Sequence, residues 1–75
     1  MPPSLTEKVA TEVRAEMGRQ RANQRRVGEI LGKSQPQISA RLLGEIPFNM
    51  AELDTLAAAW GVPVTTFLPS VERAA

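Results

Sequence analysis

The sequence contains no cysteine and no histidine. Disulfides, the usual zinc-ligand sets and every nucleophilic scheme built on a thiol or an imidazole base are thereby removed. No apolar run approaches the ~20 residues needed to cross a bilayer. The opening residues MPPSLTEK lack the basic segment and apolar stretch of a signal peptide, so a cytoplasmic location is expected. No segment alternates apolar and polar residues with a period of two, which argues against a sheet and against a winged helix. Internal repeats, glycine-rich phosphate loops and low-complexity tracts are also missing. The carboxylates are scattered over predicted helix surfaces, so nothing forms an acid/base pair in a pocket. The expectation is a non-enzyme that needs no cofactor, metal or small-molecule substrate and does not enter membranes.

What the chain does contain is helical punctuation. Its 75 residues suffice for one small domain that buries about 60% of its unfolded surface. Gln24 to Gly44, QRRVGEILGKSQPQISARLLG, has the form of two short helices joined at a glycine corner, the layout of a helix-turn-helix. Gly32 supplies a left-handed backbone at the turn, and Gly28 is small where the helices meet: a side chain larger than alanine there would hold them apart. Val27, Ile30 and Leu31 point inward from the first helix of the pair. Ile38 and Leu42 anchor the second, which Ser34 caps with Gln37 in a capping box and Pro36 in the first turn. A wheel at 100° per residue places Pro36 and Ala40 opposite that core face, flanked by Gln37 and Ser39, with Arg41 beside Gln37.

Charge is distributed unevenly although the net value is only +1. Residues 1–43 hold eight basic groups against four acidic ones, and residues 44–75 hold Arg73 against Glu45, Glu52, Asp54 and Glu72. Basic charge concentrated around the motif suits a phosphate-binding face. Glutamine can pair bidentately with adenine, arginine with guanine, and small apolar groups can meet a thymine methyl. The expected base-contacting set is therefore Gln35, Pro36, Gln37, Ser39, Ala40 and Arg41 on a recognition helix spanning 35–43. The expected phosphate contacts are Gln24, Arg19, Arg21, Arg25, Lys33 and Ser34, with the amides at the start of the first motif helix suited to a phosphate oxygen.

The motif resembles the helix-turn-helix of the lambda-repressor-like family of phage and bacterial regulators, which includes Cro-type proteins. The likeness continues to about Leu68 through GEIPFNMAELDTLAAAWGVPVTTFL, where that family has a proline-containing loop and two further short helices. The resemblance implies a repressor or Cro-type switch protein of phage or prophage origin. It also implies that Gln24 contacts the backbone and braces Gln35. Two positions depart from the common pattern: Lys33 stands at a turn site that is often apolar, and Arg41 stands at a frequent core site, with Leu42 packing instead.

Outside the motif, Ser4 and Glu7 form a capping box for a first helix with an apolar stripe of Leu5, Val9, Ala10, Val13 and Met17, ended by Gly18. Pro2 and Pro3 keep the preceding chain extended. Asn23 caps the second helix. Asn49 and Glu52 cap a fourth, with Phe48 placed to staple against Leu53 and with Met50, Leu53, Leu56, Ala57 and Trp60 on one side. Gly61 closes it, Val64, Phe67 and Leu68 return over the core in a fifth helix, and the tail 70–75 frays.

These features give an all-α, five-helix single domain over residues 1–75, with the helix-turn-helix at 24–44. The expected function is sequence-specific binding of double-stranded operator DNA in the host cytoplasm, at the nucleoid. Half-sites would be two-fold related, ~34 Å apart. Two states stay open, a homodimer in solution and a monomer that pairs only on DNA, and any homodimer would use apolar atoms near Pro63 to Pro69 or on the fourth helix as the contact. The alternative is an antitoxin-like or adaptor module that binds a partner protein, with DNA contact secondary.

Overall fold

The computed structural model describes residues 3–69. The expectations for Pro2 and for the tail 70–75 lie outside the described residues. Four α-helices follow one another: α1 (Leu5–Gln20), α2 (Gln24–Leu31), α3 (Gln35–Leu42) and α4 (Met50–Trp60), and a 3-10 turn over Val64–Phe67 completes them. No strand occurs among the described residues. The fifth expected helix is thus one tight turn. Pro63 immediately precedes it and Pro69 soon follows, leaving too few residues for an α-helical hydrogen-bond ladder to repeat.

The helix starts follow their caps. Ser4 Oγ accepts from the Glu7 amide at 3.2 Å while Glu7 Oε1 accepts from the Ser4 amide at 2.9 Å. Asn23 Oδ1 accepts from the Arg26 amide at 2.9 Å, and Asn49 Oδ1 from the Glu52 amide at 2.7 Å. The first helix does not stop at Gly18. It runs two residues further and ends at Arg21, the only non-glycine with positive φ among the described residues (54°). Glycine in a helix interior costs only about 1 kcal/mol, so the side chains that follow it can carry the helix past it.

One core gathers residues from every element. Val9 and Val13 of α1, Val27 of α2, Ile38 and Leu42 of α3, and Leu53, Leu56 and Ala57 of α4 are buried together with Phe48 and Phe67. Trp60 lies half-buried at its edge, its ring 6.1 Å from that of Phe67 in an edge-to-face arrangement. Two residues expected on the inner stripes lie outside them: Leu5 is 64% and Met50 is 59% exposed. Both are the first residue of their helix. Helical side chains lean toward the N-terminus, so a first-turn side chain overhangs the surface that its stripe covers.

The α2–α3 corner is the tightest place in the fold. Gly32 has φ +67°, a conformation cheap only for glycine. The Lys33 amide donates to the Gly28 carbonyl at 3.0 Å. A Cβ on Gly28 would lie 2.8 Å from the Lys33 carbonyl oxygen. The constraint is stricter than the sequence suggests, since alanine already collides, and with backbone rather than with a side chain that could turn away. Gly28→Ala should destabilise by about 1–3 kcal/mol through overpacking, more than the ~1 kcal/mol gained in helix propensity. Thermal unfolding followed by circular dichroism checks this, with a Tm drop of about 4–8 °C per kcal/mol expected.

Candidate nucleic-acid interface

The α2–α3 corner turns the start of α3 outward. Gln35, Pro36 and Gln37 are exposed, whereas Ser39, Ala40 and Arg41 are half-buried. The expected reading face is therefore split along its length. At its far end Arg41 is drawn toward Glu52 of α4, and the Glu45 and Ile46 amides close the end of the helix on the Ala40 carbonyl at 3.0 and 3.3 Å.

The two glutamines at the open end differ. Gln35 has no side-chain hydrogen bond among the described residues and borders a groove between α2 and α3, of about 560 Å³, with Gln24 on its opposite wall. No hydrogen bond joins Gln24 to Gln35, so the expected brace is reduced to a shared groove. Gln37 is engaged: its Oε1 accepts from the Ser34 amide at 2.9 Å and from Ser34 Oγ at 3.1 Å. Its amide nitrogen remains as a donor, while bidentate pairing with adenine would require the carbonyl to leave the cap.

Two arginines and one lysine expected on DNA are ion-paired to buried carboxylates, Arg19 with its own side chain 59% exposed. Arg41, its side chain 13% exposed, donates from Nε to Glu52 Oε1 at 3.2 Å and from Nη1 to the Gln37 carbonyl at 3.1 Å. Lys33 Nζ lies 3.4 Å from Glu52 Oε2. Arg19 Nε donates to the buried Glu16 at 2.7 Å. These three share one physical constraint: each neutralises a carboxylate that has been removed from water, and a buried charge left without its partner is costly. Arg25 stands within 3.7 Å of Glu29 on an open surface, where such a pair holds the side chain only weakly. Arg21 and Ser34 are exposed, and Arg21 has no ion pair among the described residues. Arg21 closes α1, and Arg25 and Ser34 lie near the starts of α2 and α3.

Three side chains that matter here are not marked by the motif. Glu52 reads in the sequence as the partner of the Asn49 cap, and Oε1 does accept from the Asn49 amide at 3.0 Å. Its bond to two cations from other elements was signalled only by Lys33 and Arg41 standing where apolar residues are common. Glu16 falls on the Val9, Val13 and Met17 stripe, an acidic residue at a core position, and takes Arg19 and Gln20 as partners. Arg14 donates to the Leu42 carbonyl and, at 3.2 Å, to Thr11 Oγ1. It thereby satisfies an orphan carbonyl at the end of α3 from the neighbouring α1.

Both buried carboxylates are held below their ordinary pKa. For Glu52, burial pushes upward, but the Asn49 amide, the Arg41 guanidinium and Lys33 together outweigh it. For Glu16, hydrogen bonds from Gln20 and Arg19 depress the value against the opposing effect of burial. Folded-state values below the unfolded ones mean that their stabilisation is complete above the ordinary carboxylate pKa, 4.5, and is lost as pH falls through the lower folded values. Tm should stay flat from neutrality to about pH 5 and then fall. In Glu52→Gln the acid-dependent fall should be shallower, on a baseline lowered by the loss of charge; an unchanged acid limb would remove Glu52 from this account.

No helix among the described residues is long and apolar enough to cross a membrane. No group of acidic residues there is placed to hold a metal ion. The chain matches the family model described as BetR domain over residues 4–75. No curated protein and no solved structure matches the chain.

Proposed function

The chain belongs to the BetR domain family, and on that premise we propose that it is a sequence-specific, non-catalytic DNA-binding regulator whose α2–α3 pair acts as a helix-turn-helix. The observation that carries this reading is the backbone contact at Gly28. The turn after α2 folds back on Gly28 so closely that a Cβ there would lie 2.8 Å from the Lys33 carbonyl oxygen, Ile38 of α3 packs on the same glycine, and the start of α3 is left exposed with an unengaged glutamine. This is the geometry by which a helix enters the major groove while its partner lies across the backbone.

In this reading Gln35 reads a base directly and the Pro36 ring permits close approach or meets a thymine methyl. Gln37 offers its amide nitrogen, and Ser39 and Ala40 mark the edge of the contacted surface. Gln24, Arg21, Arg25 and Ser34 meet phosphates. Lys33 and Arg41 are assigned to the buried Glu52, and Arg19, itself exposed, to Glu16. The lambda-repressor-like assignment, and with it a repressor or Cro-type role in a phage or prophage, rests on the sequence resemblance. Action in the cytoplasm on a two-fold operator, with two copies paired at least on DNA, belongs to the same proposal.

Partner binding has one observation in its favour. Besides Leu5 and Met50, Leu43 and Ile46 are large, apolar and exposed at 65% and 44%. The 3-10 turn expected to supply a contact has Phe67 buried and Val64 and Leu68 half-buried, and Leu68 lines one hollow with Leu5 and Met50. An antitoxin-like or adaptor module would use such a surface while binding DNA weakly or without salt dependence.

Selection of bound fragments from random duplex DNA, followed by titration at several salt concentrations, tests the proposal. The two cationic phosphate contacts, Arg21 and Arg25, predict a slope of about −1.8 in log K against log salt. Gln35→Ala should lose about 1–3 kcal/mol of discrimination at one base position while the slope is preserved. Unchanged sequence preference in that variant, or salt-independent binding by the native chain, would sink the reading.

A further inference from the structure

Glu52 is 7% exposed, and its carboxylate is the meeting point of three elements. Oε1 takes the Asn49 amide and Arg41 Nε. Oε2 is buried without a hydrogen-bond partner and faces only the Lys33 ammonium, 3.4 Å away. Lys33 belongs to the α2–α3 connection, Arg41 to α3 and Glu52 to the first turn of α4. One carboxylate thus fixes the corner and the second motif helix against α4, and it occupies the cation at the start of α3, Lys33, and the one in its last turn, Arg41.

We propose that Glu52 is a positioning residue that withholds Lys33 and Arg41 from DNA phosphates, thereby setting how many counterions are released on binding. The inference rests on the DNA-binding reading above. Moving either cation to a phosphate would strand a buried carboxylate, the costly half of breaking such a pair. Affinity for any sequence grows with the number of phosphates neutralised, whereas base contacts do not. Holding back two positive charges therefore lowers indiscriminate binding while Gln35 keeps its place. Arg41 in particular acts through the orientation of α3, not by touching a base.

Salt titrations of binding to a short duplex of arbitrary sequence test this with native protein, Glu52→Gln, Lys33→Met and the double variant. Glutamine retains an oxygen for the Asn49 amide but drops the charge. Glu52→Gln should steepen the slope of log K against log salt by ~0.9 for one released cation or ~1.8 for both. That corresponds to about 3-fold to 12-fold additional loss of affinity over a fourfold rise in salt. Lys33→Met alone should leave the native slope unchanged, and in the Glu52→Gln background should take back ~0.9.

A native slope in Glu52→Gln whose circular dichroism remains helical overturns the proposal. So does a flatter slope in Lys33→Met, which would put that lysine on a phosphate from the outset. If Glu52→Gln fails to fold, the Lys33→Met result decides alone. Failure of the underlying reading looks different: the native chain would show no salt-dependent affinity for any duplex.

Discussion

The fold depends on how tightly the turn after α2 folds back over Gly28. A Cβ on that glycine would lie 2.8 Å from the Lys33 carbonyl oxygen, so no other residue fits without displacing backbone. That approach sets the angle between α2 and α3, and the angle leaves the start of α3 outside. Gly32, with its left-handed backbone, makes the corner short enough for the approach to occur. Eight-residue helices are too short to be stable alone in water. The contact, the core residues Val27, Ile38 and Leu42, and the Arg14 bond to the end of α3 hold them in place.

Electrostatics then sorts the basic residues into two groups. A carboxylate that shares a helix face with core residues must find a cation, because desolvation penalises it otherwise. Glu16 takes Arg19, and Glu52 takes Arg41 and Lys33. The remaining arginines near the motif, Arg21, Arg25 and Arg26, are exposed, and the last two share only the surface carboxylate of Glu29. A count of basic residues in the N-terminal half therefore overstates the charge available to an anionic partner. The two positions where this chain departs from the lambda-repressor-like pattern, Lys33 and Arg41, are the two that converge on Glu52. An ionic contact stands there in place of apolar packing.

Much of the architecture was legible in the residues. Ser4, Asn23, Ser34 and Asn49 start the four helices at the positions read from their capping patterns, because a cap is a local interaction over three residues. The inner stripes were legible for the same reason, except at Leu5 and Met50, where an ideal wheel takes no account of the helix end. Gly18 misled because a glycine stops a helix only where the following side chains give it no reason to continue. The fifth helix was overcalled: an apolar triplet between prolines is equally compatible with a 3-10 turn, and chain length decides between them.

The candidate site was legible by position and only partly by role. Helical periodicity determines that Pro36, Gln37 and Ala40 lie away from Ile38 and Leu42, and it does so without knowledge of the other elements. It does not say that Glu52 lies within reach of Arg41 and Lys33, or that Arg14 reaches the carbonyl at the end of α3. Those are facts about residues brought together from distant places in the chain. Local sequence sets where helices begin and which face turns inward, because those preferences act within a few residues. Which charges remain available for a partner was decided by tertiary packing, because burial alone determines which carboxylates must be neutralised from within.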